Sequence, residues 1–122
     1  MESLLGQWAL RGYGTFAVEA EGRFAGRVGL LHPADFPEPE LNWTLAPAFW
    51  GRGLATEAAA TVRQWAFANL GRDRLVSYIL PENIRSQRVA AKLGAVRDRR
   101  IVLRGFVADV WVHPTSGGGI TV

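Results

Sequence analysis

Residues 54–70, LATEAAATVRQWAFANL, most narrow the folds open to this chain. Leu54, Ala58, Val62, Trp65 and Ala66 recur at helical spacing, with Gly53 before the run and Gly71 after it. That pattern predicts a helix over 54–70, with one apolar stripe to bury and Gly71 as its stop. Its neighbours predict what it packs on. Two β-type runs, 15–19 and 24–31, flank a turn at Glu21-Gly22 and predict a hairpin. HPADFPEPE, 32–40, is a proline-broken loop, and LNWTLAP, 41–47, is a third strand closed by Pro47. Beyond the helix, RLVSYIL, 74–80, is a strand expected to be buried on both faces and ended by Pro81. Asn83 then caps a second helix, IRSQRVAAKL, which stops at Gly94. Two further strands, around Arg99–Leu103 and Val107–Val112, join at RGF. Strands, helix, strand, helix, strands is an α+β order: a mixed sheet with two helices against it.

At 122 residues the chain has room for one core. A single domain is expected over 1–114, with TSGGG opening a flexible tail over 115–122. A hydrophobic fraction of 48% with 20% charged residues belongs to a globular protein rather than a disordered one. No apolar run approaches the roughly 20 residues of a membrane span. MESLLGQWALRG lacks the basic start and small-residue cleavage site of a signal peptide, so a cytoplasmic location is expected. The absence of cysteine excludes disulfides, a thiol nucleophile and thiolate metal sites. His32 and His113 are too isolated to suggest zinc, so no metal site is expected. Each precedes a proline and is read as extended chain ending at a turn. The net charge of +3 mildly favours anionic ligands. The arginines are scattered rather than blocked and Lys92 is the only lysine, which argues against a nucleic-acid surface.

The chemistry concentrates in FWGRGLATEA, 49–58. Gly51 and Gly53 surround Arg52 just where the first helix begins. Such a turn is either an ordinary reversal or a place where unpaired N–H groups and the helix dipole receive an anion. The closing Gly-Lys-Ser/Thr of a nucleotide P-loop is missing, as are G-x-G-x-x-G, H-E-x-x-H and G-x-S-x-G.

A second motif, LPENIRSQRVAAKLGA at 80–95, follows the next strand at once. Together with NWTLAPAFWGRGLATEA it closely resembles the GNAT superfamily of acetyl-CoA-dependent N-acetyltransferases. Within that superfamily the likeness is to the ribosomal-protein N-acetyltransferase (RimJ/RimL-like) type, and it runs from about Trp8 to His113. The resemblance implies a mixed, mostly antiparallel GNAT-like sheet and transfer of an acetyl group from acetyl-CoA to a primary amine. The acceptor would be a protein N-terminus or a small molecule, attacking the thioester directly. In the family's phosphate turn, Arg/Gln-x-x-Gly-x-Gly/Ala, Gly53 and Ala55 fill the last two places. Trp50 stands for the Arg/Gln, as is typical of the RimJ/RimL-like branch. The resemblance then gives the amides of Arg52, Gly53, Leu54, Ala55 and Thr56 to the pyrophosphate of coenzyme A. It gives the backbone near Leu45 and the side chain of Asn83 to the pantetheine arm. Ser86 would protonate the departing thiolate; as a first-turn residue it would equally suit a share in the capping. For a base, Glu40 at the head of the third strand comes first and Asp109 second, with water as the alternative. Arg85, Arg88 and Lys92, at i, i+3 and i+7, form a basic stripe that is either a solvated face or a contact to the nucleotide phosphates.

The chain departs from the family at its start. Only MESLLGQ precedes WALRGYG, where the branch usually carries a strand and two helices, so an N-terminally truncated fold is expected. The strand around Phe16 is then expected to be an exposed edge that a homodimer would cover. An opened acceptor side also keeps a second function in view, a non-catalytic acyl-CoA-binding or protein-interaction module.

Overall fold

The computed structural model describes residues 14–70 and 74–115. Its strands are β1 (Gly14–Ala20), β2 (Arg23–Leu31), β3 (Glu40–Leu45), β4 (Val76–Ile79), β5 (Val96–Leu103) and β6 (Phe106–Val112). Its helices are α1 (Leu54–Asn69) and α2 (Ile84–Lys92), with a 3-10 turn at Pro47–Phe49. The strands form one sheet in the order β1-β2-β3-β4-β6-β5, antiparallel throughout except for β3 beside β4. Among the described residues each end of the sheet is made by a tight hairpin. Glu21 and Gly22 join β1 to β2 with φ of 58° and 75°, and Arg104 and Gly105 join β5 to β6 with φ of 53° and 83°. Two successive left-handed residues give the turn whose twist suits paired strands.

Strand alternation decides which face meets the helices. The register sets Phe16 beside Val28, Val28 beside Trp43 and Leu30 beside Leu41, all on one face. Phe16, Val28, Leu30, Leu41 and Leu75 pack with Ala59, Val62 and Ala66 of α1 and with Leu93 beyond α2. Each large side chain so buried contributes about 1.5–3 kcal/mol. Ile79, Ala90 and Ala95 form a second cluster bordered by Trp43 and Trp111, which seats α2. On the opposite face the proline-rich loop is strapped down. Phe36 meets Tyr78 edge-on at 5.3 Å, Asp35 accepts two bonds from Arg104 at 2.7 and 3.0 Å, and Glu38 pairs with Arg74 and Arg99.

The α+β class and the two helices agree with expectation; several boundaries shift. The third strand begins at Glu40, and Pro47 opens a 3-10 turn rather than only closing the strand. β4 pairs over four residues, because Leu75 and Leu80 lie beyond its ladder. The last hairpin starts earlier than expected, at Val96, with a bulge between Arg97 and Arg99. An extra residue there breaks the two-residue alternation, which is why residues 96–98 gave no strand signal ahead of Arg99. α1 ends at Asn69, where the Leu70 N–H bonds to the Ala66 carbonyl; the expected stop at Gly71 lies outside the described residues. So do the segment before Gly14 and the tail from 116 onward. Among the described residues β1 and β5 end the sheet, and the Phe16 side chain of β1 is buried.

Candidate functional site

The glycine turn is built as an anion cradle would be. Gly53 is the residue before α1 and holds φ of 76°, a left-handed conformation that a side chain would strain. It offers no side-chain cap, and the first helical bond is Glu57 N–H to the Gly53 carbonyl at 3.0 Å. The amides of Leu54, Ala55 and Thr56 therefore have no partner within the helix. They border a cleft of about 620 Å³ whose walls include Trp43, Leu45, Trp50, Asn83, Ser86 and Val89. Nothing lies within 4 Å of where a Cβ on Gly53 would point, so the approach to these amides is open.

The far wall is α2. Asn83 caps it by accepting the Ser86 N–H at 3.2 Å, so the capping is Asn83's alone. Ser86 lines the cleft, and its hydroxyl carries no hydrogen bond among the described residues. Arg85, Arg88 and Lys92 line the same wall, and among the described residues no carboxylate pairs with them. The stripe thus faces the cleft rather than bulk solvent alone. Arg52 differs. Its guanidinium leaves the cleft to bond Glu21 at 2.9 Å and to sit 5.4 Å over the Phe49 ring. Only its backbone stays with the turn.

Trp50 has two roles that its sequence neighbourhood does not display. Its indole N–H donates to the Leu45 carbonyl at 2.9 Å, and the Arg85 guanidinium stacks 3.5 Å from its ring centre. It thereby ties the glycine turn to β3 and to the start of α2. The only local clue is that a tryptophan N–H seeks an acceptor. The Ala46 N–H bonds the Ala25 carbonyl, so by alternation Leu45 and Trp43 turn their backbone groups away from β2, toward β4. With its carbonyl taken by Trp50, Leu45 offers the cleft its N–H.

β3 and β4 pair only where Glu40 meets Val76 and then part, leaving a fork that opens toward Leu45. Glu40 sits at the closed end of that fork, outside the cleft lining. It is 7% exposed, accepts the Tyr78 N–H at 3.2 Å, and has its pKa raised to about 7. Burial raises it against the opposing pull of the Tyr78 N–H and the Asn42 side chain. By the register of β4 with β6, Asp109 shares the helix-covered face with Ile79, opposite Glu40, and lies outside the cleft lining. Arg100 bonds it at 2.8 and 3.3 Å and holds its carboxyl below the usual range. The cleft therefore gathers Leu45, Gly53, Leu54, Ala55, Thr56, Asn83 and Ser86, and gathers neither Glu40 nor Asp109. His113, read as extended chain at a strand end, is buried and bonded to Ser77 and Arg63.

A sequence model of the acetyltransferase (GNAT) domain matches residues 1–96. FsC-acetyl coenzyme A-N(2)-transacetylase of Aspergillus fumigatus is 32% identical over 91 residues, 68% of this chain and 39% of its own length. The chain thus spans about two fifths of that relative. An acetyltransferase from Agrobacterium tumefaciens superposes with a TM-score of 0.79 at 32% identity, over 94% of this chain and 72% of that one. The yncA protein of Salmonella typhimurium, solved with its cofactor acetyl-CoA, gives 0.71 at 20% identity, over 93% and 70%, a likeness of fold.

Proposed function

The chain belongs to the GNAT acetyltransferase family, and we propose that it transfers an acetyl group to a primary amine from acetyl-CoA held in this cleft. Acetyl-CoA, the family's cofactor, supplies an acetyl group already activated as a thioester. The observation that carries the assignment is the uncapped first turn of α1, with three amides bordering the cleft across from three cations that have no carboxylate partner among the described residues. This combination suits a pyrophosphate: the amides and helix dipole take the anion, and Arg85, Arg88 and Lys92 add charge. The Arg52 backbone and Gly53 complete the turn. The Leu45 N–H and the Trp43 backbone suit the amide groups of a pantetheine arm, and Asn83 can donate from its amide while capping α2.

The reaction forms a C–N bond and breaks a C–S bond, so a proton must leave the amine and another must reach sulfur. Ser86 would donate the second. Its hydroxyl is uncommitted among the described residues and lies in the first turn of α2, where developing negative charge is favoured. For the first we propose Glu40 before Asp109, the amine's proton reaching it through water because Glu40 lies outside the cleft lining. Raised to about 7, Glu40 can hold a proton transiently near neutrality, whereas Asp109 is engaged by Arg100. Trp50 supports placement in the RimJ/RimL-like branch. A homodimer through β1, which ends the sheet among the described residues, belongs to the same proposal and is tested by sedimentation velocity.

The test is thiol release from acetyl-CoA over a panel of small amines and N-terminal peptides. Turnover with at least one acceptor, lost in Ser86→Ala by roughly 10²-fold, is expected. Binding without turnover on any amine would favour the non-catalytic module instead.

A further inference from the structure

The gap between β3 and β4 is closed at its base by side chains. The two strands meet at the single bridge of Glu40 with Val76, where the Val76 N–H bonds the Pro39 carbonyl at 3.2 Å. A parallel ladder would next join the Tyr78 N–H to the Leu41 carbonyl. Here each takes a side chain instead: Tyr78 N–H goes to the Glu40 carboxylate, and the Leu41 carbonyl accepts a short bond from the Ser77 hydroxyl. Ser77 therefore caps one half of a broken rung.

Its hydroxyl has a forced direction. The single proton goes to Leu41, so the oxygen must accept from His113 Nε2, 2.8 Å away. His113 Nδ1 is then an acceptor, and Arg63 Nη1, at 3.2 Å and with only protons to give, supplies it. The other Nη1 proton meets the Leu93 carbonyl at 2.6 Å. Ser77 and His113 are each 2% exposed, so a reversed or broken link would strand a polar group in the core. Burial and the Arg63 charge hold His113 neutral, with a pKa of about 3, as this direction requires.

We propose that Arg63, His113 and Ser77 form a one-way hydrogen-bond relay that fixes where β3 leaves β4, which makes Ser77 a positioning residue for the acyl group. The proposal rests on the acetyl-CoA reading of the cleft. Leu41 lies two residues before Trp43 on the same face of β3, so a shift at Leu41 passes along the strand into the cleft wall. The phosphate end is held separately, at the start of α1. Loss of the relay should therefore disturb the chemistry more than the binding.

Four variants test it: Ser77→Ala, His113→Leu, both together, and His113→Gln. Acetyl-CoA Kd is read by calorimetry, kcat with the best amine acceptor, and Tm by thermal unfolding. Ser77→Ala and His113→Leu are each expected to lower kcat roughly 10- to 100-fold, as small misplacements do, with Kd held within about threefold. The double variant should be no slower than the worse single one, since both break one relay. His113→Gln should recover most of kcat, because its amide can donate to Ser77 and accept from Arg63. Should His113→Leu not fold, Gln is compared with the shorter Asn, which is expected not to recover. Additive losses, Kd rising in step with falling kcat, or Gln no better than Leu or Asn would each overturn the relay. A wild-type protein that neither binds nor turns over acetyl-CoA would instead overturn the reading beneath it, and an active wild type with unchanged Ser77→Ala would overturn the relay alone.

Discussion

Trp50 illustrates how one side chain holds the site together. Trp50→Phe keeps a ring under Arg85 and removes the bond to the Leu45 carbonyl, at a cost of about 1 kcal/mol. Trp50→Ala also loses the stack, adding roughly 0.5–1 kcal/mol. Urea denaturation should rank wild type above Phe above Ala; three equal midpoints would contradict these roles. Glu40 makes a second prediction. A base must be unprotonated to act, so kcat should rise through about pH 7, and Glu40→Gln should remove that limb. A limb that survives the substitution would assign it to another group. At this scale the sequence disclosed residues whose signals are local: Gly53 beside a helix start, and Asn83 with Ser86 three places on. Ser77, His113 and Arg63 escaped it, because they are 36 and 50 positions apart and no local pattern marks them. Nor does any local pattern mark Glu21, 31 positions away, as the partner of the Arg52 guanidinium.

Among elements, β2 and β3 make the floor from which the fork departs, and they meet very closely at Gly26. A Cβ there would lie 2.1 Å from the Thr44 carbonyl oxygen and 2.8 Å from the Leu45 Cα. Gly26→Ala must therefore push the strands apart, and about 3 kcal/mol of lost stability is expected. A denaturation midpoint like that of wild type would show the contact to be looser than described. The helices were legible because each carries a periodic apolar stripe between marked ends, and the first hairpin because Glu21-Gly22 is a recognisable turn. The true extent of β5 was not. Its bulge near Asp98 and its exposed, arginine-rich surface erase the alternation that identifies a strand, and only pairing with β6 defines it. The fork carries no local signal, since the parting of β3 from β4 is a relation between strands far apart in the chain.

For the whole molecule, two buried groups pull stability in opposite directions with pH. His113 is lowered from 6.5 to about 3, so the unfolded chain takes up a proton that the folded chain refuses. That contribution is full above about pH 6.5 and is lost as pH falls toward 3. Glu40 is raised from 4.5 to about 7, so its contribution is full below about pH 4.5 and is lost as pH rises through 7. Between these limits the two slopes oppose, and the stability curve should be flat there and fall away on both sides. His113→Gln should soften the acid side and Glu40→Gln the rise of proton loss toward pH 7; urea midpoints across pH read both. Unaltered slopes in the two variants would show that neither group carries the dependence.

The central claim is that the glycine turn receives the phosphates of acetyl-CoA, and calorimetric titration of wild type, Gly53→Ala and Gly53→Glu tests it most directly. Alanine strains a left-handed position by roughly 1 kcal/mol but leaves the cradle open, whereas glutamate places negative charge where the anion must sit. Saturable binding to wild type, retained in a folded Gly53→Ala and abolished in a folded Gly53→Glu, is the predicted result. Absence of binding to wild type, or equal affinity in Gly53→Glu, would contradict the claim.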